Sequence, residues 1–173
     1  MELKWYKLID VDFNLDKLLV WARKLQSSSS GNEIKTDSSL NGDLGSDQRY
    51  WAGEFPQKEF DYINSLIPLD GQFKGIQTSC SLWEYQTHTH LKPHIHEGGW
   101  LSGVIYLKVV PTLGNNEGSI EFALNSNDIT SPKKMHEPKT GDIVLFPSNL
   151  HHRTIPFSTD ADRIVIAFDF MPE

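Results

Sequence analysis

The sequence predicts a mainly β fold with N-terminal helices: a double-stranded β-helix (jelly-roll) sandwich buttressed by helices. Helical periodicity is confined to about the first seventy residues, and after Gly71 the apolar residues alternate with period two. Helices followed by about seven short strands are typical of a sandwich or barrel. With 173 residues, the chain is long enough for one sizeable core and short for two. We therefore expect a single domain over 1–173, with a helical part at 1–70 and a jelly-roll core at 71–173.

The N-terminal part begins as a strand or extended entry and continues into a helix. Asp12 or Asn14 can cap this helix. The apolar residues at helical spacing are Leu15, Leu18, Leu19, Ala22 and Leu25. The stretch 27–47 is rich in Ser, Asn, Gly and Asp, which indicates a flexible loop; a lid and simple disorder both remain open. A second, short helix is predicted from Gln57 to Ile67, because Pro68 ends it.

The C-terminal part reads as a series of short strands separated by turns. Gly, Pro, Asn and Ser clusters mark several of the turns, for example Gly114-Asn115-Asn116 and Pro147-Ser148-Asn149. The predicted strands are 73–87, 91–97, 101–110, 118–124, 142–147, 151–156 and 163–170.

Composition excludes several classes of function. The net charge of −7 and the lack of a Lys/Arg cluster disfavour binding to nucleic acid. Cys80 is the single cysteine, which suits a reducing compartment and is most simply a small buried residue. We see neither a signal peptide nor an apolar run long enough to span a membrane. A cytoplasmic protein without membrane contact is therefore expected; an oligomer is possible but not predicted.

The histidines are the strongest chemical signal. His94 and His96 stand two apart, so on a strand they project from the same face. A third imidazole from a later strand, His152, would complete a three-nitrogen metal site of the kind that suits Fe, Zn, Cu or Ni. Such pairs are often ordinary surface or core residues. His88 and His90 repeat the same spacing, and His151 adjoins His152, so the histidines alone leave the choice open.

Three ordered blocks of sequence resemble the Fe(II)/2-oxoglutarate-dependent oxygenases. The segment from His94 to Leu107, HIHEGGWLSGVIYL, resembles their metal-binding segment, in the prolyl-hydroxylase-like branch with His-x-His before a Ser-Gly-Val-x-Tyr-Leu strand. The stretch GDIVLFPS before His152 resembles the second block, and RIVIAF from Arg163 resembles the third. The resemblance covers about residues 80–170 and leaves out the first seventy.

The resemblance implies a role for each matching residue. His94 would be the first iron ligand and His152 the distal one. Arg163 would hold the far carboxylate of 2-oxoglutarate in a bidentate pair, which a planar guanidinium suits. Tyr106 would add a hydrogen bond, and Ser102 is a weaker candidate for the same carboxylate. The implied cofactors are Fe(II) and 2-oxoglutarate, with ascorbate as a candidate reductant. The implied partners are O2 and a peptide or small-molecule substrate that is hydroxylated with release of succinate and CO2.

The chain departs from the family at one position. Most of these oxygenases have Asp or Glu two residues after the first histidine, which gives a two-His-one-carboxylate metal site. Here His96 occupies that position, so three-His coordination is predicted. Glu97 is the alternative carboxylate, but on a regular strand it points to the other face unless the chain bulges.

Two other readings of the sequence remain open. Cupins are also sandwiches with His-x-His on one strand and a later histidine, and the run from Gly141 to His152 matches their second motif except at Asn149. A cupin-type dioxygenase or isomerase would not use 2-oxoglutarate. The third reading is a non-enzymatic binding sandwich with incidental histidines. Trp83, Tyr85 and Trp100 either line an apolar pocket or belong to the core.

Overall fold

The structure, a computed structural model, describes most of the chain and in particular nearly all of its C-terminal half. The described residues are 6–8, 15–28, 32–34, 40–41, 48–52, 56–66, 75–85, 90–91, 93–97, 99–125, 127–128, 130–159, 161 and 163–172. Among them are two helices, α1 (Leu15–Ser28) and α2 (Gln57–Leu66). The strands are β1 (Tyr6–Leu8), β2 (Asn32–Ile34), β3 (Leu40–Asn41), β4 (Gln48–Ala52), β5 (Gly75–Tyr85), β6 (His90–Leu91), β7 (Leu101–Lys108), β8 (Ile120–Ala123), β9 (Lys133–His136), β10 (Ile143–Pro147), β11 (His151–Thr154) and β12 (Arg163–Pro172).

The main sheet has seven antiparallel strands in the order β1-β10-β7-β12-β5-β4-β2. A second sheet has three strands in the order β11-β8-β9, and β3 pairs with β6. Two antiparallel sheets with helices confirm the predicted mainly β sandwich. The N-terminal strands β1, β2 and β4 pair into the same sheet as the C-terminal strands, so the two parts of the chain share one hydrogen-bonded sheet.

Both faces of the main sheet are buried, and each takes alternate residues of its central strands. One face packs against α1 through Leu18 and Ala22. The sheet residues on that side are Leu101, Ile105, Leu107, Ile143, Leu145, Ile166, Phe168 and Phe170. The other face lies inside the sandwich and packs against Ile120 and Phe122 of the second sheet. The main-sheet residues on this side include Tyr106, Val144, Phe146 and Val165. Two-sided burial explains why these strands read as almost continuous apolar runs.

The helices agree with the sequence prediction and are tied together. Helix α1 covers the predicted apolar stripe, and the hydroxyls of Ser27 and Ser28 close its last turn by donating to backbone carbonyls three residues earlier. The predicted caps Asp12 and Asn14 lie outside the described residues. The ammonium of Lys17 on α1 lies 2.6 Å from the carboxylate of the largely buried Glu59 on α2.

The structure differs from the prediction at several strands. In the predicted loop 27–47, α1 continues to Ser28, and β2 and β3 follow; the residues between them lie outside the described ones. Strands of two or three residues are too short to show an alternating pattern. Strands β4 and β9 were also not predicted. The predicted strand 91–97 is wrong as a continuous strand: β6 ends at Leu91, and beyond Pro93, which cannot donate to a ladder, His94 forms an isolated bridge.

None of the helices in the described part of the chain combines the length and apolarity that crossing a bilayer requires.

Gly103 provides a test of how tightly the helix-facing core is packed. A Cβ atom at this position would lie 2.2 Å from Cζ of Phe168 and 2.7 Å from Cδ2 of Leu145. We expect Gly103→Ala to lower the free energy of unfolding by about 1–3 kcal/mol, as overpacking does in dense cores. Urea denaturation measures this. Leu113→Ala, at a side chain that is 66 % exposed, is the control, with an expected change within about 0.5 kcal/mol. Equal stability of both variants would contradict the packing described.

Candidate metal centre

A reciprocal backbone pair fixes two of the histidines. The amide of His94 donates to the carbonyl of His152 at 3.1 Å, and the amide of His152 donates to the carbonyl of His94 at 3.1 Å. This is the hydrogen-bonded pair of an antiparallel ladder, in which directly opposite side chains share a face. Strand β11 carries His152, and its pairing with β8 sets His152 opposite Phe122. The bridge therefore places two imidazoles side by side from segments almost sixty residues apart.

His96 is positioned by the loop that follows it. Its amide donates to the carbonyl of Ser148 at 2.9 Å, and its carbonyl accepts from the amide of Gly99 at 3.3 Å. Trp100 continues this attachment, because its carbonyl accepts from the amide of Ser148 at 3.1 Å and its amide donates to Phe170 at 2.8 Å. The backbone at His96 and at Trp100 is thus held between the turn after β10 and the end of β12.

The three imidazoles converge. Candidate ligand nitrogens of His94, His96 and His152 all lie within 4.8 Å of one another. Nε2 of His96 lies 3.3 Å from Nε2 of His94, and the ring centroids are 4.3 to 5.3 Å apart. Phe146 stands against the cluster, with its ring centroid 4.4 Å from that of His152. The structure therefore brings together the three histidines that the sequence predicted as ligands.

Hydrogen bonds leave Nε2 of two rings available for a metal. Nδ1 of His152 lies 2.9 Å from the carbonyl oxygen of Leu150, which only accepts, so Nδ1 carries the hydrogen. Nδ1 of His96 lies 2.7 Å from Oδ1 of Asp169, and a carboxylate likewise accepts. In the neutral form of each ring, Nε2 then holds a lone pair. A backbone carbonyl or carboxylate behind the ring is the usual support of a ligating histidine.

Burial keeps His152 neutral. The pKa of its imidazole is well below the ordinary value of 6.5, chiefly because desolvation penalises the charged form and, next, because of the neighbouring His94. A metal ligand must be deprotonated at its donor nitrogen. His152 therefore needs no proton removed at neutral pH.

A polar network that the sequence reasoning missed lies behind His96. Oγ of Ser102 donates to Oδ1 of Asp169 at 2.5 Å, and Oγ of Ser148 lies 2.7 Å from Oγ of Ser102. Ser102 and Ser148 are both almost completely buried. A signal was present in the sequence: Asp169 is a lone carboxylate in an apolar strand, and such a residue needs a polar partner. Asp169 is an even number of residues from Arg163 on the same strand, so the two side chains lie on the same face of the sheet.

Arg163 and Tyr106 meet on the interior face of the main sheet. Arg163 is only 3 % exposed, and its guanidinium carbon lies 5.2 Å from the centroid of the Tyr106 ring. The hydroxyl of Tyr106 is buried and has no partner in hydrogen-bonding geometry among the described residues. Burial raises the pKa of this hydroxyl, and the positive charge of Arg163 offsets part of that rise. Ser102 lies on the same face of β7, where its described hydrogen bonds go to Asp169 and Ser148.

Several alternative residues fall outside the cluster. Glu97 is exposed in a turn, so His96 is the residue that joins the other two histidines. His151 is half-buried and lines a cavity of about 100 Å³ together with Arg153 and Glu121; the more deeply buried His152 borders the same cavity. His88 lies outside the described residues, as do the side chains of Cys80, Trp83, Tyr85 and His90. Trp100 is 38 % exposed.

The donor set fits a divalent transition metal. Two nitrogens bound to one ion at about 2.0–2.1 Å each are separated by roughly 3 Å when they occupy neighbouring positions. The 3.3 Å between Nε2 of His94 and Nε2 of His96 is close to that separation. Imidazole nitrogens suit Fe, Zn, Cu and Ni, so the chemistry of the trio is compatible with iron without selecting it.

Comparison with known proteins also points to an iron-dependent oxygenase. A family model described as "Putative 2OG-Fe(II) oxygenase" matches residues 81–169, about half of the chain. A comparison with curated proteins found no match.

Similar solved structures share the jelly-roll fold. The 2-oxoglutarate-dependent carbocyclase SnoK from nogalamycin biosynthesis has a TM-score of 0.76 and 13 % identity, covering 99 % of this chain and 80 % of its own. A Pseudomonas putida prolyl-4-hydroxylase has a TM-score of 0.67 and 14 % identity, covering 98 % and 92 %. HygX from Streptomyces hygroscopicus, solved with nickel and 2-oxoglutarate, has a TM-score of 0.65 and 12 % identity, covering 97 % and 82 %. At these identities the likeness shows the fold, which confirms the predicted jelly-roll class.

The depressed pKa of His152 has a measurable consequence in the metal-free protein. As the pH falls below about 6.5, the unfolded chain takes up a proton at this residue and the folded chain does not. The free energy of unfolding therefore falls toward acid, down to the folded pKa. His152→Gln is expected to remove up to about 1.4 kcal/mol per pH unit of this slope.

Urea unfolding between pH 5 and 7, after treatment with EDTA, measures the slope, and the ring proton shift of His152 in NMR reports its titration directly. If the His152 imidazole of the folded protein titrated near pH 6.5, as histidine does in a free peptide, the burial described would be contradicted.

Proposed function

This chain belongs to the 2OG-Fe(II) oxygenase family, and on that premise we propose that it is a non-haem iron, 2-oxoglutarate-dependent dioxygenase that hydroxylates a peptide or small-molecule substrate. The observation that carries the proposal is the convergence of His94, His96 and His152, with ligand nitrogens within 4.8 Å, on a scaffold that also buries Arg163 against Tyr106. When bound, Fe(II) and 2-oxoglutarate supply the oxidising chemistry, in which O2 converts 2-oxoglutarate to succinate and CO2 and delivers one oxygen atom to the substrate.

The three histidines are proposed to hold the metal through nitrogen. The backbone bridge fixes His94 and His152 relative to each other, and the carbonyl of Leu150 fixes the tautomer of His152. His96 enters the cluster from the adjoining loop with its Nδ1 on Asp169. Because the supporting groups are backbone atoms and a buried network, the ligand geometry exists before the ion arrives, which lowers the cost of binding it.

Arg163 and Tyr106 are proposed to hold the distal carboxylate of 2-oxoglutarate. The guanidinium presents N–H donors in a planar fork that matches a carboxylate, and the Tyr106 hydroxyl beside it has a hydrogen to donate. Both side chains lie inside the sandwich, where charge-assisted hydrogen bonds are strong. The assignment of Ser102 to the same carboxylate stays a prediction.

Removing one histidine tests the metal centre. We expect His152→Ala to lose stoichiometric Fe(II) or Ni(II) binding, because it removes one of three ligands and leaves a cavity behind the other two. Isothermal titration of the EDTA-treated protein under nitrogen measures the binding. His136→Ala, which removes another largely buried histidine that pairs with Asp142, is the matched control and should keep its metal. Wild-type metal affinity in His152→Ala would overturn the centre.

Removing the arginine tests the co-substrate site. We expect Arg163→Ala to raise the 2-oxoglutarate concentration for half-maximal succinate formation about 10–100-fold, the cost of losing charge-assisted hydrogen bonds. Metal content should stay at the wild-type level, because Arg163 is not in the histidine cluster. Succinate release without added substrate measures the effect.

The control for this variant is Arg153→Ala on β11, whose guanidinium pairs with Glu121 at 2.7 Å; it should change that concentration less than twofold. Loss of metal from Arg163→Ala would show a structural role instead. A wild-type protein that binds iron and never forms succinate from 2-oxoglutarate would refute the proposed reaction.

A further inference from the structure

We propose that Asp169 is a positioning residue of the metal centre, because its carboxylate binds the ring of His96 on the side away from the metal site. In the two-His-one-carboxylate pattern a carboxylate that binds the metal directly supplies one negative charge. Here Asp169 would supply that charge from behind the His96 ring. This inference rests on the proposed function, in which His94, His96 and His152 hold the metal. In the same proposal, Ser102 and Ser148 hold the Asp169 carboxylate in place through hydrogen bonds.

The first step of the argument is the contact itself. Oδ1 of Asp169 lies 2.7 Å from Nδ1 of His96, and the opposite nitrogen of the ring, Nε2, points to within 3.3 Å of Nε2 of His94. A carboxylate bound behind an imidazole fixes the ring tautomer and orientation, and it makes the far nitrogen a better donor to a metal. Asp169 thus acts on the ligand atom through the ring.

The second step is the direction of the hydrogen bonds around Asp169. Its Oδ1 accepts from both His96 and Ser102, so the hydroxyl hydrogen of Ser102 is used. In the 2.7 Å contact between the two serines, Ser148 must then be the donor. The chain of hydrogen bonds runs from Ser148 to Ser102 to Asp169, so the carboxylate oxygen that faces His96 is also held from the sheet.

The third step is rigidity. Asp169 on β12 stands directly opposite Ser102 on β7 in the sheet register, so the backbone ladder sets the distance between them. Gly99 closes the other side. A Cβ on this glycine would lie 2.5 Å from Oγ of Ser148 and 3.3 Å from Cβ of Asp169. Only a residue without a side chain lets the loop after His96 pack this closely, and the carboxylate is held between that loop and the sheet.

The fourth step is charge. Three neutral imidazoles contribute no charge to a divalent ion, whereas two imidazoles and one carboxylate contribute one negative charge. His96 occupies the position where the family pattern has that carboxylate. The carboxylate of Asp169 places one negative charge next to the site, on the far side of the His96 ring. The replacement of Asp or Glu by His96 and the presence of a buried carboxylate behind it are thus two parts of one arrangement.

Metal affinity tests this role without relying on turnover. We expect Asp169→Asn to raise the dissociation constant for Co(II) about 10–100-fold, the usual effect of losing a partner behind a ligating histidine. Competition with a chromophoric chelator measures the affinity, and the Co(II) visible spectrum reports the coordination. The control is Asp142→Asn, which alters another histidine–aspartate pair, at 3.1 Å to His136. It should leave Co(II) affinity within threefold of wild type.

A second variant separates positioning from folding. In the Asp169→Asn background, His96→Asp restores a direct carboxylate ligand, and we expect at least a tenfold recovery of Co(II) affinity. A role of Asp169 confined to stability would lower the melting temperature of the metal-free protein and would not be rescued in this way. If Asp169→Asn does not fold, Ser102→Ala decides: it removes only the hydroxyl that donates to Asp169, and affinity within twofold of wild type would overturn the proposal.

The outcomes distinguish this inference from the proposed function. Loss of Co(II) from His152→Ala together with wild-type affinity in Asp169→Asn would overturn the role of Asp169 and leave the metal centre standing. Wild-type affinity in both variants would overturn the metal centre and, with it, everything that rests on it. Weakened binding in both, with recovery on adding His96→Asp to Asp169→Asn, supports both.

Discussion

Burial of the main sheet on both faces is the constraint on which the rest of the structure depends. Because α1 covers one face and the second sheet covers the other, alternate residues of β7, β10 and β12 belong to two separate interiors. The helix-facing interior holds a large apolar cluster that joins Leu18 and Ala22 of α1 to the sheet. The sandwich interior carries Ser102, Tyr106, Arg163 and Asp169 together with its apolar residues. Buried polar groups are costly without partners, which accounts for the hydrogen-bonded network behind His96, whereas the Tyr106 hydroxyl beside Arg163 has no such partner among the described residues.

The candidate metal centre lies where backbone pairing is sparse. His94 lies outside any continuous strand and exchanges two hydrogen bonds with His152 of β11, and His96 lies in the loop beyond this bridge. A bridge of this kind fixes the relative position of two residues and leaves one side of them open. His96 keeps about a quarter of its side chain exposed, whereas His152 is buried. The cluster therefore has a buried side at His152, toward Phe146 and Leu150, and a partly exposed side at His96.

Membership of the 2OG-Fe(II) oxygenase family fixes the class of chemistry, and the fold leaves the reaction on the substrate open. A prolyl-4-hydroxylase and a carbocyclase both share this jelly roll at low sequence identity. Different outcomes on one scaffold are expected when the oxidising chemistry belongs to the cofactors and the protein controls which substrate atom lies nearest. Among the described residues, a small cavity lined by His151, His152 and Arg153 adjoins the histidine cluster.

The sequence by itself determined the fold class, the two helices, most of the long strands and the trio His94, His96 and His152. These features leave local traces: helical spacing, period-two alternation, and a histidine pair on one face with a third at family spacing. The short strands β2, β3 and β9 left none, since a strand of two to four residues is too short to show a period. Only the tertiary structure decided that Asp169 stands behind His96 and that Ser102 donates to it. Those choices depend on the register between β7 and β12 and on the bridge between distant segments, and register is set by the packing of whole faces.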